Sequence, residues 1–141
     1  MSFELLLGTG NRRATVRQIG RLICQHVPAG GLFGPAPLHD WAARLAEGEI
    51  PVSLDGHLTG SIDLVLRVRD DAGAARYVVV DYKTNRLGAR GQAPRHDDYR
   101  PDRLEVAMTE HHYPLQALLY SVALHRYLRW RVPGYDPARE L

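Results

Sequence analysis

An α/β fold is predicted by three features of the sequence. Residues 58–69 alternate between apolar and polar with the two-residue period of a half-buried strand, and a second β-rich run, 76–83, follows a turn. Around this pair stand segments whose apolar residues return every three to four positions, as a helix packed on one face requires. The length, 141 residues with 45% hydrophobic and 24% charged side chains, suits one domain with a real core.

The elements follow in order. Ser2 to Leu7 is a short apolar strand closed by Gly8-Thr9-Gly10. Thr15 is placed to cap a helix running to about Val27, with Val16, Ile19, Leu22 and Ile23 on one face. Residues 28–37 hold three Gly and three Pro and form a loop, before a short helix with Leu38, Trp41, Ala42 and Leu45 inward that ends at Gly48. In the hairpin, Ile62, Leu64, Leu66 and Val68 form the apolar face of the first strand, with Ser61, Asp63, Val65 and Arg67 opposite. Asp70-Asp71-Ala72-Gly73 is the turn. The return strand puts Tyr77, Val79, Asp81 and Lys83 together, with Val78, Val80 and Tyr82 on its other face. Residues 84–101 read as a long loop, 102–110 and 113–131 as helices, and 135–141 as a connection without structure of its own.

Several classes are not expected. No apolar run nears the roughly 18 residues of a membrane span, and Met1-Ser2-Phe3-Glu4 lacks the basic start of a secretory leader. One cysteine, Cys24, rules out an internal disulfide and a CxxC metal site. The expected setting is cytoplasmic, with no membrane partner. Of 18 basic residues only Lys83 is a lysine, and Asp81-Tyr82 precedes it, so no phosphate-binding GxxxxGK[ST] loop exists.

A lone lysine among arginines points to a need for a compact ammonium, which a planar guanidinium cannot imitate. Its neighbours share that face. A turn centred on Ala72 sets Asp63 opposite Asp81, where Cα atoms of an antiparallel pair stand roughly 4.5–5.5 Å apart. Two carboxylates so placed repel unless a cation lies between them. Mg²⁺, or Mn²⁺, is bound through such oxygens while keeping waters and taking substrate phosphate. Lys83 would orient the attacking water or meet charge developing on phosphorus. The bland alternative is a surface ion pair of Asp81 with Lys83, worth about 0–1 kcal/mol.

Gly60-Ser61-Ile62-Asp63 and Val80-Asp81-Tyr82-Lys83 resemble the GxxD and DxK elements of the PD-(D/E)XK nucleases. Tyr113, Gln116 and Tyr120 resemble the helical signature of the RecB branch of that superfamily. The resemblance runs from about Leu58 to Asp136 and is weaker over the first 57 residues. It implies a restriction-endonuclease-like mixed sheet with flanking helices. Asp63 and Asp81 would be metal ligands, Lys83 the catalytic lysine, and Gln116 and Tyr120 members of the active site. It also implies a histidine-bearing helix before the first strand and a core strand after the last helix. Neither is expected here, so residues 1–141 read as a partial RecB-type nuclease domain, incomplete at both ends and without a helicase motor.

The function so implied is Mg²⁺-dependent exonucleolytic hydrolysis of DNA within a RecB-like helicase–nuclease, in recombinational repair of double-strand breaks. Its partners would be DNA and the other subunits of a RecBCD-type complex. The competing reading is a noncatalytic fragment that keeps only DNA or subunit contacts. Iron–sulfur relatives of the AddB or CRISPR-associated type are disfavoured by the single cysteine.

Helix 113–131 carries Leu115, Leu118, Leu119 and Val122 on one side and Tyr113, Gln116, Tyr120, Leu124 and Tyr127 on the other, which predicts burial of both. His39 and the pair His111-His112 read as solvated residues. Arg86, Arg90, Arg95, Arg100 and Arg103 offer phosphate contacts, diluted by Asp97, Asp98 and Asp102.

Overall fold

A computed structural model describes residues 1–7, 14–27, 36–49, 54 and 56–141. The expected glycine turn at 8–10 and most of the loop at 28–37 lie outside them. In chain order the elements are β1 (Ser2–Leu7), α1 (Val16–His26), α2 (Ala36–Glu47), β2 (Gly56–Ser61), β3 (Leu64–Arg69), β4 (Ala75–Val80), a 3₁₀ turn (His96–Tyr99), α3 (Pro101–Glu110), α4 (Tyr113–Arg131) and α5 (Pro137–Glu140). This is the α/β class that the sequence predicts. Two compact units are formed, one from Met1–Leu5, His57–Thr84 and Leu115–Leu141, the other from Leu6–Gly56 and Asn85–Pro114.

In the first unit the strand predicted at 58–69 is two strands. β2 pairs with β1, while β3 pairs with β4 in a separate antiparallel ribbon. The division falls at Ile62-Asp63 for a local reason. Ile62 exchanges backbone hydrogen bonds with Met1, 2.8 Å from its own N–H and 2.7 Å to its carbonyl, and so belongs to the first ladder. Its side chain is only 1% exposed. Asp63 then meets the other ribbon through its carboxylate, which accepts the Tyr82 N–H at 3.0 Å in place of a ladder carbonyl.

The register of the ribbon is Leu64 opposite Val80 through to Arg69 opposite Ala75. One further step would set Asp63 against Asp81, beyond the last paired residues. The turn is built by Asp70, whose Oδ1 accepts from the N–H groups of Ala72 (3.0 Å) and Ala74 (2.8 Å). Gly73 supplies the positive φ of 79° there. β4 stops at Val80 rather than at Lys83.

The face on which the apolar residues of β3 were grouped is largely open, with Val80 half-buried at its end. Leu64, Leu66, Val68 and Val78 are exposed, whereas Val65, Tyr77 and Val79 are half-buried. The covered side is the one that carries Asp81 and, through Lys83, reaches α4. α4 likewise buries one side: Leu115, Tyr120, Ala123, Leu124 and Leu128 are inside, but Leu118 and Val122 are open. The expectation of two buried faces is therefore corrected to one. The chain's end is not a bare connection, since Asp136 caps α5 through the Ala138 N–H at 3.0 Å.

In the second unit Thr15 and Gln18 form a reciprocal capping box at the start of α1. α1 and α2 cross at Gly20, where an added Cβ would stand 2.6 Å from the Ala42 carbonyl oxygen. Among the described residues of this unit Val16, Trp41, Ala42, Leu45 and Leu54 are the buried apolar side chains, whereas Leu22 is exposed. The polar stretch after Thr84 is organised around Asp98. Its carboxylate accepts from the Arg95 N–H at 2.8 Å and from Arg103 at 3.0 Å, against Gly88.

Candidate active site

Five side chains selected from the sequence lie within the first unit, and four of them form a continuous polar chain. Asp81 and Lys83 follow β4 on the same side, two residues apart, and their carboxylate and ammonium make an ion pair. The Lys83 ammonium also donates to Oε1 of Gln116 on α4. Gln116 in turn donates from Nε2 to the Tyr120 hydroxyl, one helical turn along, at 2.8 Å. Both ends of the amide are thereby committed, its oxygen to a cation and its nitrogen to a phenol. Asp63 is tied to the same loop by its bond to the Tyr82 backbone.

Tyr120 is positioned by residues the motif reading did not single out. The Phe3 ring meets it edge-on, with centroids 5.7 Å apart and planes at 77°. Phe3 in turn lies across Gly60, where an added Cβ would come 2.7 Å from the ring. The glycine of Gly60-Ser61-Ile62-Asp63 thus makes room for an aromatic support of the site. Nothing local in the sequence joins Phe3 to Tyr120, which stand on a strand and a helix far apart in the chain.

The electrostatics are those of a mixed acid–ammonium cluster. The Tyr120 hydroxyl is held protonated well into the alkaline range, first by burial and then by the negative charge of Asp81. Gln116 and Lys83 act in the other direction and Asp63 adds to the upward shift, so all four neighbours are felt at this phenol. The side chains of Asp81 and Lys83 are 18% and 27% exposed, shielded but within reach of solvent.

Asp81 Oδ2 is buried and accepts no hydrogen bond apart from its ion pair with Lys83. A carboxylate oxygen shielded from water and held only by an ammonium is one that a hard divalent cation could take over in its place. Among the described residues no group of three or more His, Cys, Asp and Glu is placed to hold a metal. The carboxylates of Asp63 and Asp81 fit an ion that relies on one or two carboxylates and completes its shell with water and substrate oxygens.

The remaining candidates lie in the second unit, and two readings are corrected there. His112 is not a solvated helix start: its Nδ1 accepts from Trp41 Nε1 at 2.9 Å, and Trp41 is 2% exposed. His39 is half-buried with its Nε2 closed off from solvent, not a surface residue. Tyr113 donates to Asn85 Oδ1 at 2.6 Å. Arg100 and Arg103 are taken up by Asp102 and Asp98, at 3.2 and 3.0 Å.

A family model of the PD-(D/E)XK nuclease superfamily matches residues 10–140. The chain is 45% identical to RecBCD enzyme subunit RecB of Mycolicibacterium smegmatis over 133 residues, 94% of this chain and 11% of that protein. It is 44% identical to the same subunit of Mycobacterium tuberculosis H37Rv over 149 aligned residues, covering 100% of this chain and 12% of that protein. With the Escherichia coli K12 subunit the identity is 44% over 81 residues, 57% of this chain and 6% of that one. The chain spans about a tenth of the length of the first two relatives. Its small sheets and flanking helices accord with the restriction-endonuclease-like fold. By the family match and the mycobacterial identities together, the chain belongs to the PD-(D/E)XK nuclease superfamily and resembles one part of RecB.

Proposed function

We propose that this chain hydrolyses DNA phosphodiester bonds with Mg²⁺, Mn²⁺ being an alternative ion, as the nuclease part of a RecB-like helicase–nuclease. The observation that carries the reading is the polar chain from Asp81 through Lys83 to Gln116 and Tyr120, with Asp63 beside it. Asp63 and Asp81 would hold the cation. When bound, the ion supplies Lewis-acid stabilisation of charge on the phosphate oxygens. Lys83, steadied by Gln116, keeps an ammonium where a nucleophilic water or a phosphoryl oxygen needs a proton donor or a positive charge. Tyr120, kept protonated, fixes the Gln116 amide and with it the direction of Lys83.

DNA and the remaining subunits of a RecBCD-type complex are the partners this reading requires. Double-strand-break repair would be its setting and the cytoplasm its place. Among the described residues no helix is long and apolar enough to cross a membrane.

The test is digestion of linear DNA by the purified chain, with Mg²⁺ and with chelator. Expected is Mg²⁺-dependent release of nucleotides, lost in Asp81→Asn and in Lys83→Ala. Equal digestion by Asp81→Asn would refute the assignment. A second reading, contacts without catalysis, is favoured by the lack of a third metal donor among the described residues. It predicts DNA binding that survives Asp81→Asn and no turnover in any variant.

A further inference from the structure

Trp130 is 75% exposed, more than any other large apolar side chain among the described residues. The other tryptophan, Trp41, is buried and hydrogen-bonded, so this exposure is not a habit of the chain. Trp130 stands near the end of α4, whose 19 residues include no Asp or Glu but carry Arg126, Arg129 and Arg131. The Arg131 guanidinium covers one face of the indole, 4.5 Å from the ring centroid. Arg126 and Tyr127, four and three residues back, share the Trp130 side of the helix, and Tyr127 is 44% exposed. The acids that follow in sequence, Asp136 and Glu140, accept local backbone bonds, from the Ala138 N–H and the Asp136 N–H.

We propose that this end of α4 is a platform for single-stranded nucleic acid. Trp130 stacks an unpaired base, and Arg126 and Arg131 meet the flanking phosphates. The charge selects a polyanion, and the exposed indole selects one with free aromatic faces. Bases in a duplex have spent those faces on one another, whereas every base of a single strand has one to offer. Trp, Tyr and Arg also make protein hot spots, so self-association is the competing outcome in the test below; a helix with three arginines and no acid favours the polyanion. Position agrees as well. Trp130 lies two heptads beyond Gln116 on nearly the same side of the helix, about 21 Å away at 1.5 Å per residue. A single strand of several nucleotides spans that interval, so the platform would hold the strand whose scissile phosphate lies at Asp81 and Lys83.

This inference rests on the DNA reading of the site, so the experiment separates the two. Fluorescence anisotropy with labelled oligo(dT) is measured on the full chain in EDTA, where no cleavage occurs, and repeated with Asp81→Asn. A duplex of equal length and an inorganic polyphosphate serve as comparisons. Expected is tighter binding of oligo(dT) than of the duplex, with quenching of tryptophan emission. Trp130→Ala should weaken oligo(dT) about tenfold and leave polyphosphate unchanged, while Trp130→Phe keeps the affinity but loses the quench. Arg126→Ala should lower the salt slope by about 0.7, the value for one phosphate on a single strand. Unchanged oligo(dT) affinity in Trp130→Ala would overturn the proposal. So would self-association that Trp130→Ala abolishes without touching oligo(dT) binding, since the patch would then be a protein interface. A chain that binds as expected but never cuts leaves the platform standing and removes the catalytic reading instead.

Discussion

Lys83 donates to the side-chain oxygen of Gln116, 33 residues further along the chain. The bond joins the segment after β4 to α4, and it gives the ammonium a second anchor besides Asp81. A lysine held by one carboxylate alone would swing on four rotatable bonds. Held by two acceptors on different elements, it has a direction.

That direction can be tested. Gln116→Leu removes the acceptor at nearly constant volume and leaves the ion pair with Asp81. DNA cleavage should fall about 10–100-fold, chiefly in kcat, with the far-ultraviolet spectrum and the melting temperature nearly unchanged. A fall confined to KM would mean that Gln116 binds substrate and does not steady Lys83.

The solitary lysine makes its own prediction. Lys83→Arg keeps the charge, but a planar guanidinium cannot occupy the corner shared by the Asp81 carboxylate and the Gln116 amide, nor readily give up a proton. Cleavage should drop nearly as far in Lys83→Arg as in Lys83→Ala. Rescue by arginine would show that positive charge alone suffices.

How much of this was legible in advance depends on which interactions are local. The ribbon register followed from the two-residue period and from Asp70 and Gly73, all within one stretch of chain. The break at Ile62-Asp63 did not, because it depends on Met1 and on the Tyr82 N–H, which no periodicity reports. Alternation reveals that Leu64 and Val65 face opposite ways, but not which side the rest of the unit covers. The Trp41–His112 bond spans 71 residues, and its histidine has a positive φ of 55° that no sequence signal announced. Asp63, Asp81, Lys83, Gln116 and Tyr120 were proposed through their motifs, and the last four are joined in one polar chain. Phe3 and the reason for Gly60 were not legible.

Gly60 therefore carries a prediction of its own. Gly60→Ala places a methyl group against the Phe3 ring, which supports Tyr120. Overpacking of this kind costs about 1–3 kcal/mol. Urea unfolding should show that loss, and Phe3→Leu in the same chain should recover part of it by opening the space. Additive losses in the double variant would contradict the contact.

Alkaline stability follows from Tyr120. Its pKa is raised above the ordinary 10.0 by burial and by Asp81, so the folded chain holds the proton more tightly than the unfolded one. The sign is then fixed. Its contribution is complete below the unfolded value and is lost as pH rises from about 10 through the raised folded value. Tyr135, raised by burial and by Glu140 and Asp136, adds in the same sense. Denaturation midpoints measured up an alkaline series should decline less steeply in Tyr120→Phe, and less again when Tyr135→Phe is added.

Binding and catalysis should part company at Lys83. Its ammonium already neutralises the Asp81 carboxylate, so a divalent cation must compete with it for the same oxygens. With two carboxylates and no third donor among the described residues, calorimetry should give weak Mg²⁺ binding, about millimolar. Asp81→Asn should abolish it, by removing the charge and half of the donor set. Lys83→Ala should do the opposite and tighten Mg²⁺ or Mn²⁺ binding, because the competing cation is gone, while cleavage is lost. Weaker metal binding in Lys83→Ala would mean that the ammonium organises the carboxylates for the ion and does not compete with it. Metal binding unchanged in Asp81→Asn would place the ion elsewhere.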